Sequence, residues 1–120
     1  METFFVTFAI AIQTIFAGAF SMLSPEHQQY VQDNIAGVWV IEPGDTGWPQ
    51  YYGAYAYMNA IGGHTLYIGA ENLPNTYANA WKLCHEAAHG AGHGHDAFLW
   101  QLEDDCKKDV ERYYDALKSE

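Results

Sequence analysis

Residues 85–96 read His85-Glu86-Ala87-Ala88-His89-Gly90-Ala91-Gly92-His93-Gly94-His95-Asp96. Two histidines four positions apart on a helix lie about one turn apart on the same face, so both imidazoles can reach a single metal ion. Glu86 follows the first histidine and can reach a water molecule at that ion without binding the ion itself. The pattern therefore predicts a helix that presents two metal ligands, His85 and His89, beside a general base, Glu86.

The glycines of this segment predict a reversal of the chain after the helix. Gly90, Gly92 and Gly94 can adopt positive φ, which ends a helix and lets the chain turn back. A catalytic zinc site needs three protein ligands and one open position for water, so a third imidazole is expected from the returning chain. His95 is the candidate third ligand, and zinc is the expected cofactor.

Two other residues compete with His95 for the third position. His93 lies two residues earlier, and Glu103 lies on the next predicted helix, where it is also spaced as a surface ion-pair partner of Lys107. Asp96 is placed to accept the second N–H of a ligand imidazole, which is a common role for carboxylates beside metal sites. The sequence leaves these alternatives open.

Residues 84–102 resemble the zincin metallopeptidases, and two groups of that superfamily share features with them. The spacing His85-Glu86-x-x-His89-x-x-Gly92-x-x-His95-Asp96 is similar to the extended metzincin signature, including the aspartate after the third histidine. Metzincins also carry a methionine turn downstream of that signature. Here all three methionines of the chain lie upstream, which departs from the metzincin pattern.

The second group comprises the small SprT-like, WLM and YgjP-like proteins, in which a later histidine and an aromatic pair open a final helix. Residues 96–102 resemble that continuation, with Leu99 where the group usually has an aromatic residue, and the short distance from His95 to Glu120 also favours it. The resemblance implies an α+β fold: a minimal zincin-like domain with a small antiparallel or mixed sheet, a hairpin, an active-site helix and a C-terminal amphipathic helix. It also implies zinc-dependent hydrolysis of a peptide or protein substrate.

Composition and charge narrow the class of protein. A chain of 120 residues with 49% hydrophobic residues predicts one folded domain with a modest core. The net charge is −10, and all five Lys and Arg residues lie between Lys82 and Lys118. Such an acidic protein repels phosphate backbones, so no nucleic-acid partner is expected. The oligomeric state is left open.

The first 23 residues form a hydrophobic segment that precedes the predicted domain of residues 24–120. Three interpretations fit it: a signal peptide cleaved after a small-residue site at residues 17–19, a membrane anchor, or a core element of the domain. A signal peptide or anchor implies a secreted or membrane-anchored protein, with membrane contact through residues 3–23. A core element implies a cytoplasmic one. No basic residue flanks the segment, so orientation cues are absent.

Local patterns predict the remaining elements. The expected order is a helix from Pro25 to about Ala36, a strand over Gly37–Glu42, a hairpin of residues 54–59 and 64–69, a helix from Thr76 to His89, and a helix from Ala97 to Leu117. On the Thr76–His89 helix, the expected apolar stripe is Tyr77, Trp81, Cys84 and Ala88. By resemblance to zincins, Thr65–Ile68 is the expected strand along which an extended substrate would pair.

Two points of chemistry have alternatives. Cys84 and Cys106 are too few for a disulfide framework, and both are expected on apolar helix faces, which favours free or facultatively bridged thiols over a permanent bond. For the function, a zinc metallopeptidase with Glu86 as its base is one hypothesis. The other is a non-catalytic zinc-binding or interaction module of zincin-like shape, for which a closed four-ligand site would be the sign.

Overall fold

The computed structural model describes residues 3–42, 44, 58–61 and 64–119, and of residues 58–61 it describes the backbone alone. Along the chain the elements are β1 (Phe4–Thr7), α1 (Phe8–Ala11), α2 (Ala17–Ser21), α3 (Pro25–Asn34), β2 (Gly37–Ile41), β3 (Met58–Ile61), β4 (Thr65–Gly69), a 3₁₀ turn (Ala70–Asn72), α4 (Thr76–Gly90) and α5 (Ala97–Lys118). Helices packed on one small sheet make this an α+β fold, as predicted. Residues 54–57 of the expected hairpin lie outside the described residues.

The sheet is mixed, with strand order β1-β2-β4-β3. β1 and β2 are antiparallel, β2 and β4 are parallel, and β3 and β4 form an antiparallel hairpin, as predicted. Its first strand was expected to end at Asn59, but Ala60 and Ile61 also belong to β3 and pair with β4. Alternation along the central strands buries Val38, Val40, Leu66 and Ile68 completely on the core face. The expectation that Thr65–Ile68 pairs with substrate is wrong, because β4 is a central strand whose main chain is bonded to β2 on one side and to β3 on the other.

Residues 4–23 pack as part of the domain core in this structure. β1 pairs with β2, and the amide of Phe8 donates to the carbonyl of Ala36 at 2.8 Å. Phe16 is 1% exposed and belongs to the same hydrophobic cluster as the central strands. Within the described part of the chain, every helix is too short or too polar to cross a bilayer.

The helix ends follow the capping residues. Ser24 caps α3 ahead of Pro25, Asn75 caps α4 by accepting from the amide of Ala78, and Asp96 caps α5 by accepting from the amide of Leu99. α3 ends two residues earlier than expected, at Asn34, because Ile35 adopts an extended conformation.

The long helices α4 and α5 pack against each other, and α4 also packs against β3 of the sheet. The buried face of α4 is formed by Ala80, Leu83, Cys84, Ala87 and Ala88. The expected stripe was therefore partly wrong: Tyr77 is 46% exposed and stacks on Tyr114 of α5, 6.2 Å between ring centroids.

Cys84 and Cys106 form a disulfide that joins α4 to α5, and both residues are fully buried. The structure shows the bridged form, which the sequence interpretation included only as a facultative bond. Apolar spacing placed both cysteines correctly on buried faces, but it carried no information about the two faces meeting. The bond closes a loop over a sequence separation of 22 residues, for which chain entropy predicts a stabilisation of about 3 kcal/mol.

Candidate metal centre

The C-terminal half of α4 presents the two predicted helical ligands side by side. His85 and His89 lie one turn apart, with ring centroids separated by 4.8 Å and the rings edge to face. Both are partly exposed, whereas Ala87 and Ala88 between them are buried in the core. The helix therefore packs on the sheet with one face and leaves both imidazoles at the edge of the core.

The chain reverses immediately after α4 through one left-handed glycine. Gly92 has φ 101°, its amide donates to the carbonyl of His89 at 3.0 Å, and the amide of His93 donates to the carbonyl of Ala88 at 3.0 Å. This pair of bonds is a Schellman motif. The expectation for the other two glycines was wrong, since Gly90 is the last helical residue and Gly94 has no positive φ.

The reversal brings His95 back to the helical pair. Its ring centroid lies 5.4 Å from that of His85 and 5.0 Å from that of His89. One ring nitrogen from each of the three histidines lies within 4.8 Å of the other two. The structure thus brings together the three residues predicted as ligands.

The geometry of this cluster fits a tetrahedral zinc ion. Zinc binds imidazole nitrogen at about 2.0–2.1 Å, so two ligand nitrogens on one tetrahedral ion stand roughly 3.4 Å apart. The three nitrogens lie within 4.8 Å of one another, so side-chain rotation would have to bring them to that shorter separation. Three imidazoles also leave the fourth position of the ion without a ligand from this cluster, which is the arrangement of catalytic sites.

The second ring nitrogens of His85 and His89 have their own partners. The Nδ1 atom of His89 lies 2.8 Å from the carbonyl oxygen of His93, and the Nδ1 atom of His85 lies 3.3 Å from Oε2 of Glu103. When Nδ1 carries the proton and donates it in this way, the Nε2 lone pair is left for a metal. Burial lowers the pKa of His85, although the hydrogen bond with Glu103 acts in the opposite direction, and the lowered pKa favours the neutral imidazole that binds metal.

Glu103 differs from both sequence interpretations. Its carboxylate is not part of the cluster of side chains that could share one metal ion, which consists of His85, His89 and His95. Glu103 is therefore not placed as the third ligand. Its Oε1 atom lies 3.5 Å from Nζ of Lys107, which is the predicted ion pair. However, Glu103 is only 7% exposed, so it is not part of a solvated face. Its carboxylate instead supports the imidazole of His85.

Glu86 contacts the imidazole of His85, the first of the three clustered histidines. Its Oε1 atom is 3.8 Å from Nε2 of His85, and the residue is 4% exposed. Glu86 is thus a buried carboxylate next to His85 and outside the three-histidine cluster.

His93 and Asp96 form a separate pair. The Nδ1 atom of His93 lies 3.0 Å from Oδ2 of Asp96, and the His93 ring stacks on Phe98 with centroids 4.1 Å apart. The imidazole of His93 is therefore outside the three-histidine cluster, and only its carbonyl supports a ligand. Asp96 was expected to orient a ligand imidazole, but among the described contacts its side chain binds His93 and the amide of Leu99, while Glu103 contacts the ligand.

Trp100 is a wall of the site that the sequence did not single out. Its ring stacks on His95 at 5.3 Å between centroids, it lies 5.9 Å from His85, and it is 50% exposed. Its position on α5, three residues before Glu103, places both residues on the side of the helix that faces the cluster. That spacing was the available signal.

A second group of potential ligands lies where α3 meets α5, and it is occupied by internal bonds. Nδ1 of His27 is 2.5 Å from Oδ2 of Asp109, Arg112 binds the other carboxylate oxygen, and Cys106 is committed to the disulfide. Burial alone would raise the pKa of Asp109, but hydrogen bonds from His27 and from the amide of Ser24 hold that pKa below its ordinary value. The group ties the start of α3 to α5.

Comparison with known proteins gives no relative: no family model, no curated protein and no solved structure matches this chain.

Proposed function

We propose that this protein is a zinc-dependent metallopeptidase whose metal ligands are His85, His89 and His95 and whose general base is Glu86. The observation that carries the proposal is the cluster of three imidazoles, with one nitrogen from each within 4.8 Å of the others, beside a Glu86 carboxylate oxygen that lies 3.8 Å from Nε2 of His85. A purely structural zinc site closes all four positions with protein ligands, whereas this cluster supplies three.

In this proposal the chain supplies the proton transfers and the orientation. Bound zinc would act as a Lewis acid that lowers the pKa of water and polarises the peptide carbonyl. Glu86 accepts a proton from the attacking water as the water oxygen bonds to the carbonyl carbon. It then passes this proton to the amine nitrogen as the C–N bond breaks. Glu103 and the carbonyl of His93 keep His85 and His89 in the tautomer and rotation that ligation requires.

Two features favour a polypeptide substrate. Among the described strands, β3 pairs with β4 alone, and it packs against α4. In this proposal an extended substrate pairs its main chain with the other edge of β3. The half-exposed ring of Trp100, stacked on His95, supplies an apolar surface for a side chain near the scissile bond.

The decisive experiment combines zinc analysis with hydrolysis of an unstructured protein. Wild type is expected to bind one zinc per chain and to lose hydrolysis on treatment with a chelator. Glu86→Gln keeps the ligands but removes the base, so it is expected to bind zinc normally and to be inactive. Glu111→Gln makes the same chemical change on the exposed surface and is expected to remain active.

The outcomes separate the two hypotheses. Undiminished hydrolysis by Glu86→Gln would contradict the assignment of the base. Stoichiometric zinc with no hydrolysis of any unstructured substrate by wild type would favour the non-catalytic module, and coordination by four protein ligands in X-ray absorption spectra would establish it.

A further inference from the structure

A groove of about 580 Å³ lies between α3 and α5, outside the three-histidine cluster. Its lining residues are Glu26, His27, Gln29, Tyr30, Asp33, Phe98, Gln101, Leu102 and Asp105. On α5 the groove side (Phe98, Leu102, Asp105) and the metal side (Trp100, Glu103) are separated by the buried stripe of the helix. The groove is therefore a surface separate from the three-histidine cluster, and the two approach each other where Phe98 stacks on His93.

The floor of the α3/α5 groove is apolar and aromatic. Tyr30 and Phe98 face each other with ring centroids 6.0 Å apart, and Phe98 is 46% exposed. The hydroxyl of Tyr30 is buried without a hydrogen-bond partner in the described structure. An exposed ring in a concave site costs free energy until a ligand covers it, so this floor is suited to burying apolar side chains.

The rim of the groove is acidic. Glu26, Asp33 and Asp105 contribute three carboxylates, and none of the described lining residues is Lys or Arg. Asp33 accepts an N–H from Gln29 at 2.8 Å, and Asp105 accepts one from Gln101 at 2.9 Å. These amides hold the carboxylates in place without neutralising their charge.

Two contacts show that the helices run antiparallel along the groove. Tyr30 meets Phe98, whereas His27, earlier on α3, meets Asp109, later on α5. Glu26 and Asp105 therefore lie toward one end of the groove, and Asp33 lies toward the other. Glu26 and Asp33 are seven residues apart, which is about 10 Å along a helix.

We propose that the α3/α5 groove binds a cationic amphipathic helical segment of another polypeptide. Apolar residues at i+3 and i+4 of that segment cover Tyr30 and Phe98, and basic residues at i and i+7 reach the carboxylates at the two ends. This is the spacing that a helix presents to a groove two turns long. The charge of the rim favours a basic partner, as does the net charge of −10 of the whole chain.

The test uses the full-length Glu86→Gln protein, so that the probe cannot be cleaved, and a fluorescent helical peptide with Lys at i and i+7 and Leu at i+3 and i+4. Binding is expected to be saturable and to weaken as salt is raised. Asp33→Lys with Asp105→Lys is expected to weaken it by about tenfold or more, since two attractions become repulsions. Phe98→Ala is expected to weaken it as well, but with little change in salt dependence.

The matched control is Glu111→Lys with Asp115→Lys, which makes the same change in net charge at exposed positions of α5 outside the groove. It is expected to bind the peptide within about threefold of the parent, because distant surface charges are screened. If both double variants weakened peptide binding equally, the proposal would be overturned, because the affinity would then depend on the net charge of the protein and not on the groove. If the Lys variant does not fold by circular dichroism, Asp33→Asn with Asp105→Asn replaces it, with the same direction of effect expected.

Two further probes exclude other occupants. A scrambled peptide of the same composition, or spermine at equal charge, should bind weakly, and equally tight binding by either would overturn the commitment to an amphipathic helix. Sedimentation of the protein alone should show that the groove variants do not alter its mass. A dimer that Asp33→Lys with Asp105→Lys dissociates would mean that a second copy of the chain occupies the groove instead.

Discussion

Glu103 lies 3.3 Å from the Nδ1 atom of His85, although 18 residues separate them in the sequence and they belong to different helices. The contact crosses the α4–α5 interface next to the disulfide, since Cys84 precedes His85 and Cys106 lies one turn after Glu103. The proposed metal site is thus connected to α5 by a hydrogen bond and, directly behind it, by a covalent bond. The hydrogen bond orients the imidazole of His85, and the disulfide holds the two helices together beside it.

Glu103→Gln is therefore expected to weaken zinc binding. The substitution keeps the shape of the side chain but removes the charge that holds the proton on Nδ1, and losses of about 10–100-fold in metal affinity are typical of such changes. Competition with a chromophoric chelator measures this directly. Lys107→Met is the control, because it removes the surface ion pair of Glu103 and leaves the contact with His85; similar affinities for the two variants would refute the positioning role.

Substitution distinguishes the two histidine candidates for the third ligand, His95 and His93. His95→Ala removes a member of the three-nitrogen cluster and is expected to abolish tight zinc binding. His93→Ala removes an imidazole that stacks on Phe98 but keeps the carbonyl that contacts His89, so zinc is expected to stay bound. Isothermal titration with zinc distinguishes the two. Loss of binding in the His93 variant alone would transfer the third position to His93.

Sequence patterns located the elements from α3 onward and the three histidines because those signals are local, whereas β1, α1 and α2 were not predicted. The spacing of His85 and His89 and the cap residues of the helices act within a few positions of each other. Even the return of His95 depends on one glycine, Gly92, close to the end of α4.

What the sequence did not reveal depends on contacts between distant segments. The contacts of Cys84 with Cys106 and of His85 with Glu103 depend on how α4 packs against α5. The contact of His27 with Asp109 depends on how α3 packs against α5. β4 is central because β2 pairs with it in parallel. The hairpin pattern predicts only the pairing of β3 with β4 and does not predict which strand lies on the other side of β4. Periodicity describes one element at a time, so it cannot decide which faces meet.

The lowered pKa of Asp109 predicts part of the acid sensitivity of the fold. Because the folded state holds this pKa below its unfolded value, the carboxylate contributes stability that is fully present above the unfolded pKa and is lost as pH falls through the folded pKa. The affected range therefore begins at about pH 4 and extends below it. Urea unfolding at a series of pH values should show a smaller loss for Asp109→Asn than for wild type in this range. Parallel curves would contradict the role of Asp109.

The packing of residues 4–23 predicts how the fold depends on its N-terminal segment. Phe16 is 1% exposed within the core cluster, so Phe16→Ala is expected to lower the free energy of unfolding by about 3–5 kcal/mol. Phe5→Ala is the matched control, since Phe5 is 47% exposed and its ring contact with Trp39 is a cross-strand pair worth about 1 kcal/mol or less. Denaturant unfolding of the purified full chain measures both. If the segment were a leader that the domain does not need, neither substitution would change the unfolding midpoint, and a chain that begins at Ser24 would unfold at the same denaturant concentration as the full one.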